Sequence, residues 1–348
     1  MKKIVDLEEV LFKKGFKFID VRSPKEYKTD TIPGSINIPL LDDMDREQVG
    51  KVYKEKGPHE AKVLGLKLVS GRLFDLVNKI SSFSQSGLKP VVFCWRGGMR
   101  SHAVVTLVDL MGEEVYQLRG GYKAYRRYVN KFFEQYEVLP LKFVVLYGLT
   151  GVGKTEVLRE LKKLGENVID LEKAANNRGS VFGDIGLGTQ PSQKSFESYI
   201  FKSIMNGKED KPYFVECESK RIGRLIVPSS VYKGMQRGRK ILIYASMESR
   251  INRILKDYAA DLSESRKKEL SQALLKLKNR LGSRKVQWLI DLVEKEKYEE
   301  VICYLLEKYY DPLYGYPSGP DSKYELCIKN ENSKETAVVL RDYFNNIK

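Results

Sequence analysis

Short apolar runs alternate with helical periodicity over the first 137 residues. Three apolar runs predict strands and two patterns with apolar residues three and four apart predict helices: strands at 16–22, 89–94 and 114–120, and helices at about 100–111 and 121–136. Strands that alternate with helices are typical of a parallel α/β sheet. We therefore expect an α/β domain over 1–137.

A second series of strands and helices begins after Pro140, which interrupts the pattern near 137–142. We expect strands at 142–148, 167–172, 212–219, 240–246 and 324–330, and helices at about 153–164 and 333–347. From 262 to 309 the pattern is helical and dense in Lys, Arg and Leu. This predicts a second α/β domain over 138–348, with a helical region at about 260–310.

Composition and charge narrow the class of protein. The chain has 348 residues, a net charge of +15 and 42% hydrophobic residues, which suits two folded domains and a polyanionic partner such as nucleic acid. No apolar run is long enough to span a bilayer and no signal peptide is evident, so we expect a cytoplasmic protein. Four cysteines without a CxxC pair and only two histidines argue against a disulfide framework or a zinc site.

A glycine-rich loop follows the strand expected at 142–148. The run "GLTGVGKT" fits the phosphate-binding pattern G-x-x-x-x-G-K-[ST] and lies between a strand and a helix, as that mechanism needs. Backbone N–H groups and a helix N-terminus would hold phosphate oxygens, Lys154 would reach terminal oxygens, and Thr155 would ligate Mg²⁺. The expected phosphate-binding residues in this loop are Gly148, Thr150, Gly151, Gly153, Lys154 and Thr155.

Acidic and basic residues beyond the loop are weaker candidates. Asp170, Glu216 and Glu218 end neighbouring strands, where a carboxylate commonly holds the metal; Asp170 and Glu216 are the tentative ligands, beside Thr155. They could equally be charges that terminate strands. Arg250 and Arg253 follow the strand at 240–246, three apart on one helix, which suits arginines that close over phosphates or lie on a solvated face. Nothing in the loop assigns the phosphates to ATP.

The run "FCWRGGMRS" carries the second candidate site. Cys94 ends an apolar strand, and the expected helix begins near residue 101. Arginines and a helix N-terminus lower a thiol pKa, and glycines let N–H groups surround an anion at the sulfur. We predict a solvent-reachable nucleophile, whereas a buried structural cysteine suits Cys303 better. The candidate catalytic residues are Cys94, Arg96, Gly97, Gly98 and Arg100.

The first domain resembles a rhodanese. "DVR" at 20–22, "IPGSINIP" at 32–39 and the cysteine loop occur in that family's order. Two features depart from the family: Asp30 and Thr31 precede "IPG" where Gly-His is frequent, and the spacing from Cys94 to Arg100 is one residue longer than the common loop. Cysteine phosphatases share the longer spacing, so a phosphatase remains an alternative for this domain.

Both domains together resemble the tRNA 2-selenouridine synthase family. The shared runs are "CWRGGMRS", "GGYKAYR", "DLEKAANNRGSVFG", "QPSQKSFES", "ECESKRIGRLIVP" and the segment 42–71, and they cover roughly residues 15–260. "YYDPLY" at 309–314 extends the likeness. Asn177 stands where the family usually has His.

The resemblance implies an enzyme that exchanges sulfur for selenium in wobble 2-thiouridine of tRNA. The family first S-geranylates the sulfur from geranyl diphosphate, and selenophosphate then displaces the geranylthiol. The glycine-rich loop with Mg²⁺ would serve the first step and Cys94 the second. The basic helices at 262–290, with Trp288, are the expected tRNA surface.

Two other functions remain open on sequence grounds. One is an ATP-dependent tRNA sulfurtransferase or kinase that uses the glycine-rich loop for a nucleotide. The other is a sulfur carrier or tRNA-binding adaptor without catalysis. The sequence also leaves open whether Cys94 carries selenium covalently.

Overall fold

The computed structural model describes residues 3–177, 188–258 and 264–346. It divides into two compact units, Met1–Glu134 and Gln135–Lys348. Each unit contains one five-stranded sheet, and the pairs of neighbouring strands in both sheets are parallel. The expectation of parallel α/β sheets is therefore confirmed.

The sheet of the first unit has the order β1-β5-β4-β2-β3. Its strands are β1 (Lys3–Val5), β2 (Phe16–Asp20), β3 (Ile36–Asn37), β4 (Lys89–Phe93) and β5 (Tyr116–Leu118). Strands β2, β4 and β5 lie within the runs expected from the sequence, whereas β1 and β3 are too short to give a clear apolar pattern. The last four residues of β4 are all buried, as expected for a strand covered on both faces.

Seven α-helices accompany this sheet: α1 (Leu7–Val10), α2 (Pro24–Thr29), α3 (Asp43–Lys56), α4 (Pro58–Val69), α5 (Leu73–Gln85), α6 (Met99–Leu110) and α7 (Gly121–Glu134). Helix α2 begins sharply because Ser23 and Glu26 form a reciprocal capping box and Pro24 occupies the first helical position. This start fixes Glu26, which matters for the cysteine loop below.

The sheet of the second unit has the order β12-β11-β6-β8-β7. Its strands are β6 (Phe143–Tyr147), β7 (Asn167–Ile169), β8 (Tyr213–Glu216), β11 (Arg239–Tyr244) and β12 (Leu326–Lys329), and β9 (Arg221–Ile222) with β10 (Leu225–Ile226) forms a separate antiparallel pair. Strand β7 is shorter than the expected 167–172 because Asp170 caps a helix: its carboxylate accepts from the Lys173 N–H at 2.9 Å. The carboxyl ends of β6, β7 and β8 lie at one edge, where ligands of open α/β sheets bind.

The helices of the second unit are α8 (Lys154–Lys163), α9 (Leu171–Ala175), α10 (Gln193–Met205), α11 (Ser229–Gln236), α12 (Met247–Tyr258), α13 (Glu264–Leu275), α14 (Lys278–Leu281), α15 (Ser283–Glu294), α16 (Tyr298–Leu305), α17 (Asp311–Tyr314) and α18 (Ser333–Asn346). A π-helix, Leu306–Tyr310, joins α16 to α17. Helices α13 to α16 share a core of their own, separate from the one under the sheet. None of the helices in the described ranges is long and apolar enough to cross a membrane.

Candidate functional site

The cysteine loop connects β4 to α6, and two of its carbonyl groups accept hydrogen bonds from residues of α7 and β5. The Tyr122 N–H donates to the Cys94 carbonyl at 2.9 Å, and the Gln117 side chain donates to the Gly97 carbonyl at 2.7 Å. A planar trans peptide points its N–H opposite to its C=O. The N–H groups that follow these carbonyls therefore point to the other side of the loop, which is the arrangement that holds an anion.

Gly121, at the start of α7, packs directly against the backbone of the cysteine loop. Its φ is +56°, and a Cβ there would lie 2.3 Å from the Cys94 carbonyl oxygen and 2.4 Å from the Gly97 nitrogen. No other residue fits without moving the loop. The run "GGYKAYR" thus belongs to the same site as the cysteine, although it begins 26 positions after Cys94.

The sulfur of Cys94 faces a hydroxyl group. The Cys94 Sγ lies 3.4 Å from the Ser101 Oγ, and the Gly98 carbonyl oxygen lies 3.1 Å from the same Oγ, so the single hydroxyl proton has the sulfur and the carbonyl as alternative acceptors. Burial by itself would raise the pKa of the Cys94 thiol, but hydrogen bonds from Ser101 and Gly98 and the charge of Arg100 lower it below its usual value. This environment favours the nucleophilic thiolate. Ser101 was not among the residues expected from the sequence.

The structure corrects the expectation of a solvent-reachable thiol at Cys94 and a buried one at Cys303, because Cys94 is buried whereas Cys303 is only partly buried. Cys94 is 4% exposed, although Arg96 and Gly98 on the same loop are exposed. Arg100 does not point freely into the loop, since its guanidinium binds Glu26 of α2 through bonds of 2.6 and 3.2 Å. Although burial opposes it, Arg100 holds the pKa of Glu26 below its usual value, so this carboxylate stays charged.

The glycine-rich loop follows β6 and opens directly into α8. At Gly148 φ is +143°, and a Cβ would lie 2.1 Å from the Ile243 carbonyl oxygen, so the chain turns here only with glycine. Lys154 Nζ donates to the Gly148 and Leu149 carbonyls at 2.7 and 3.2 Å. The lysine ammonium therefore lies at the start of the loop, within the cavity described below.

Arg250 binds the backbone of the glycine-rich loop and does not line the cavity. Its Nε donates to the Thr150 carbonyl at 2.8 Å, and its other nitrogens bind Asp311 at 2.9 and 2.5 Å. Arg250 is only 3% exposed and is not among the cavity-lining residues. The structure therefore corrects the expectation that Arg250 closes over phosphates: it fixes the position of the loop.

Arg253 and the remaining loop residues face the cavity. Arg253 donates to the Asn330 carbonyl at 2.5 Å, and within the described residues its Nη1 is buried without a hydrogen-bond partner. The expected residues that line the cavity are Gly148, Thr150, Gly151, Gly153, Lys154, Thr155 and Arg253, and Arg159 joins them without having been predicted.

Three carboxylates meet beside Thr155. Ligand oxygens of Glu172, Glu216 and Glu218 all lie within 4.8 Å of one another. Thr155 Oγ1 is 3.1 Å from a Glu172 oxygen and 3.2 Å from a Glu216 oxygen. Burial and then the charge of Glu218 raise the pKa of Glu172 to about 7, and burial with the neighbouring carboxylates raises that of Glu216.

The cluster replaces Asp170 by Glu172 as a candidate metal ligand. Asp170 directly follows β7, but its carboxylate caps α9, whereas Glu172 in the first turn of α9 reaches Thr155. A helix that starts immediately after the strand was not visible in the apolar pattern, so the sequence could not reveal this shift of two residues.

The donor set fits a divalent cation such as Mg²⁺, which prefers oxygen ligands. Glu216 is 1% exposed, and in the described part of the chain its Oε1 has no hydrogen-bond partner. A buried carboxylate oxygen without a partner is costly unless a cation neutralises it. Thr155, Glu172, Glu216 and Glu218 are the residues that would hold the ion.

The phosphate-binding loop and the carboxylates form one end of a cavity of about 420 Å³. Helices of the second unit contribute a mainly aliphatic part of the lining, made of Ile254, Leu255, Leu270, Leu274, Val293, Val301, Ile302, Leu305 and Leu306 together with Tyr298 and Tyr310. Helices α12, α13, α15 and α16 and the π-helix supply these side chains. Asn177, 8% exposed, also lines the cavity; residues 178–183 of the run "DLEKAANNRGSVFG" lie outside the described residues.

Each of the two units matches the model of a known protein family. Residues 4–128 match the model of the rhodanese-like domain, and residues 141–346 match that of the tRNA 2-selenouridine synthase AAA domain. A curated tRNA 2-selenouridine synthase from Bordetella petrii is 34% identical over 88% of this chain and 88% of its own length. One from Azotobacter vinelandii is 32% identical over 95% of each.

The chain belongs to the tRNA 2-selenouridine synthase family. The expected fold class, a rhodanese-like parallel-sheet domain followed by a P-loop α/β domain with a helical region, is confirmed. Among solved structures, a shikimate kinase from Acinetobacter baumannii in complex with shikimate is 17% identical, covering 62% of this chain and 99% of its own, with a TM-score of 0.26.

Proposed function

We propose that this protein exchanges the sulfur of wobble 2-thiouridine in tRNA for selenium from selenophosphate. The exchange passes through an S-geranyl intermediate made from geranyl diphosphate. Full-length relatives named tRNA 2-selenouridine synthase support the RNA substrate and the product. The observation that carries the geranyl step is the aliphatic cavity that continues from the phosphate-binding loop.

The cavity suits an isoprenoid diphosphate better than a nucleotide. A nucleotide base carries polar edges that need hydrogen-bonding partners, and leaving them unpaired in an aliphatic wall costs free energy. A branched hydrocarbon chain instead gains about 0.8 kcal/mol for each buried CH₂ group. Nine aliphatic residues in the lining therefore favour geranyl diphosphate.

The first half-reaction needs charge stabilisation at the leaving group. The sulfur of 2-thiouridine attacks C1 of the geranyl chain, the C1–O bond breaks, and diphosphate leaves with the electron pair. Negative charge develops on the diphosphate oxygens as this bond breaks. In our proposal Lys154, Arg253 and the loop N–H groups stabilise that charge. Electrostatic stabilisation of this kind is the largest single contribution to catalysis in many enzymes. When bound, Mg²⁺ supplies Lewis-acid stabilisation of the same oxygens.

The second half-reaction is the task of the cysteine loop. The selenium of selenophosphate attacks C2 of the uracil ring, the C2–S bond breaks and geranylthiol leaves; water then cleaves the Se–P bond, and phosphate departs to leave 2-selenouridine. The loop N–H groups provide an anion site around the Cys94 sulfur, and the charge of Arg100, although its guanidinium is bound by Glu26, is one of the causes that lower the pKa of the thiol. We assign the selenium-transfer step to this loop because it combines a thiolate nucleophile with donors for the selenophosphate anion.

The charge of the chain and an aromatic pair with an exposed tryptophan support RNA binding. The net charge is +15, which attracts the phosphate backbone. Trp288, 39% exposed, packs edge-on against Tyr304 with centroids 5.1 Å apart, and Lys285 lies over both rings. This group remains our candidate tRNA surface in the helical region.

Incubation with defined substrates tests the proposal. The purified protein, tRNA bearing wobble 2-thiouridine, geranyl diphosphate, Mg²⁺ and selenophosphate are combined, and nucleosides are analysed by mass spectrometry. We expect S-geranyl-2-thiouridine without selenophosphate and 2-selenouridine with it. Absence of both nucleosides, together with ATP-dependent turnover on the same tRNA, would replace the proposal by an ATP-dependent sulfurtransferase or kinase.

A further inference from the structure

Two tyrosines at the phosphate end of the cavity form a stacked pair. Tyr314 ends α17, and Tyr316 follows after Gly315, which has a left-handed φ of +61°. The rings are 5.9 Å apart between centroids and inclined by only 18°. Both residues line the cavity, and Tyr314 is 38% exposed.

The inner ring of the pair is fixed by its neighbours. The Tyr316 hydroxyl lies 3.4 Å from the Cys217 Sγ, and Cys217 stands between two of the clustered glutamates in the chain. Tyr147 packs edge-on against Tyr316 at 5.7 Å and against Tyr324 at 5.5 Å. Tyr316 is therefore a rigid support on which Tyr314 lies.

The pair is also tied to the phosphate-binding loop. Asp311, in the first turn of α17, binds Arg250, and Arg250 donates to the Thr150 carbonyl of the loop at 2.8 Å. The short helix that carries Tyr314 is thereby held at a fixed place relative to the loop. Tyr314, Glu172 and Glu218 line the same cavity, and burial followed by the charges of Glu218 and Glu172 raises the pKa of Tyr314 to about 12.

We propose that the Tyr314–Tyr316 pair is the binding platform for the 2-thiouracil base of the RNA. The outer face of Tyr314 stacks on the ring of the base and holds its sulfur toward C1 of the isoprenoid. This inference rests on the proposed function and adds to it the residues that receive the nucleobase.

The position of the pair favours the base over the isoprenoid chain. The reacting carbon is bonded directly to the diphosphate, so the attacking base must enter at the phosphate end, where the two tyrosines lie. The hydrocarbon needs the enclosed aliphatic end, where Leu274 and Leu305 are 0% and 1% exposed. Tyr314, which is 38% exposed, instead suits a ligand that arrives from solvent, and bases stack well on tyrosine.

Equilibrium RNA binding tests the platform without requiring turnover. Two anticodon stem-loops are compared, one with 2-thiouridine at the wobble position and one with an abasic site there. The wild-type protein should bind the first about tenfold more tightly, within the range for one stacked base. Tyr314→Ala and Tyr314→Leu should lose this difference, while Tyr314→Phe, which keeps the aromatic face, should retain it.

Tyr136 provides a matched control, since it has the same exposed fraction of 38% and does not line the cavity. Tyr136→Ala should preserve the difference between the two RNAs. Thermal unfolding of each variant verifies that it is folded. If folded Tyr314→Ala still discriminates the two RNAs like wild type, or if wild type itself does not discriminate, the platform is excluded.

The proposed function fails in a different way. A wild-type protein that prefers the 2-thiouridine RNA through Tyr314, yet forms no geranylated nucleoside, would retain the platform and exclude the geranyl step. Geranylation by wild type with an unchanged KM for RNA in Tyr314→Ala would retain the step and exclude the platform.

Discussion

The two anion-binding loops of this protein differ in how much space lies beside them. The cysteine loop is closed: Cys94 is 4% exposed, and Arg100 is already bound by Glu26. The glycine-rich loop opens on a cavity of about 420 Å³ whose lining includes nine aliphatic residues. Both loops follow a buried parallel strand and lead into a helix, so this difference is not a matter of fold.

The contrast matches two different tasks. A small anion such as selenophosphate needs a tight ring of donors and a sulfur of lowered pKa, and a larger space would admit water. An isoprenoid diphosphate needs donors at one end and a long apolar wall at the other. The space beside each loop therefore agrees with the step that we propose for it.

The largest expected effect tests the acidic end of the open cavity. Glu216→Gln removes one charge from the three-carboxylate cluster and should lower Mg²⁺-dependent geranylation about 100-fold, since metal-site substitutions commonly cost that much. It should also abolish the rise in melting temperature that Mg²⁺ gives wild type by binding the folded state. Glu299→Gln, on an exposed position of α16, is the control. Unchanged geranylation in Glu216→Gln would show that this cluster holds no catalytic metal.

A smaller effect is expected at the aliphatic end. Val293, 1% exposed, lines the cavity, and Val293→Phe should shorten the space available to the chain. We expect kcat/KM for geranyl diphosphate to fall about tenfold relative to dimethylallyl diphosphate, which is one isoprene unit shorter. Val338→Phe, at a 37% exposed position of α18, should leave the ratio unchanged. Equal losses for both diphosphates would contradict the placement of the chain.

The smallest effect concerns the closed loop. Ser101→Ala removes the hydroxyl 3.4 Å from the Cys94 sulfur, one of the groups that lower the thiol pKa. The midpoint of iodoacetamide alkylation of Cys94 against pH, followed by peptide mass spectrometry, should therefore move upward by about one pH unit. Cys303, whose pKa is raised by burial and Glu307, is an internal reference that should not change. A midpoint that stays in place would show that Ser101 does not stabilise the thiolate.

The strands and both loops could be predicted because short-range patterns determine them. Apolar runs located β4 and β6, and the spacing of glycines located the loop at Gly148. Contacts between residues far apart in the sequence could not be predicted from such patterns. Glu26 binds Arg100, 74 positions away, and Asp311 binds Arg250, 61 positions away. For this reason Arg250 was expected over phosphates although it supports the loop, and Glu172 was missed although it joins the metal site.

The aliphatic cavity could not be predicted either, because helices from several segments build it. The sequence indicated a helical region dense in Lys, Arg and Leu, without indicating which face the leucines line. Leu274 and Leu305 come from α13 and α16, and only their packing places them at one wall.

The division of labour between the loops is tested most directly with a preformed intermediate. Lys154→Ala is given tRNA that already carries S-geranyl-2-thiouridine, together with selenophosphate, and 2-selenouridine is measured by mass spectrometry. We predict formation at close to the wild-type rate, because Lys154 serves only the geranyl step, while Cys94→Ala should form none. If Lys154→Ala fails and Cys94→Ala succeeds, the assignment of the two steps to the two loops is wrong.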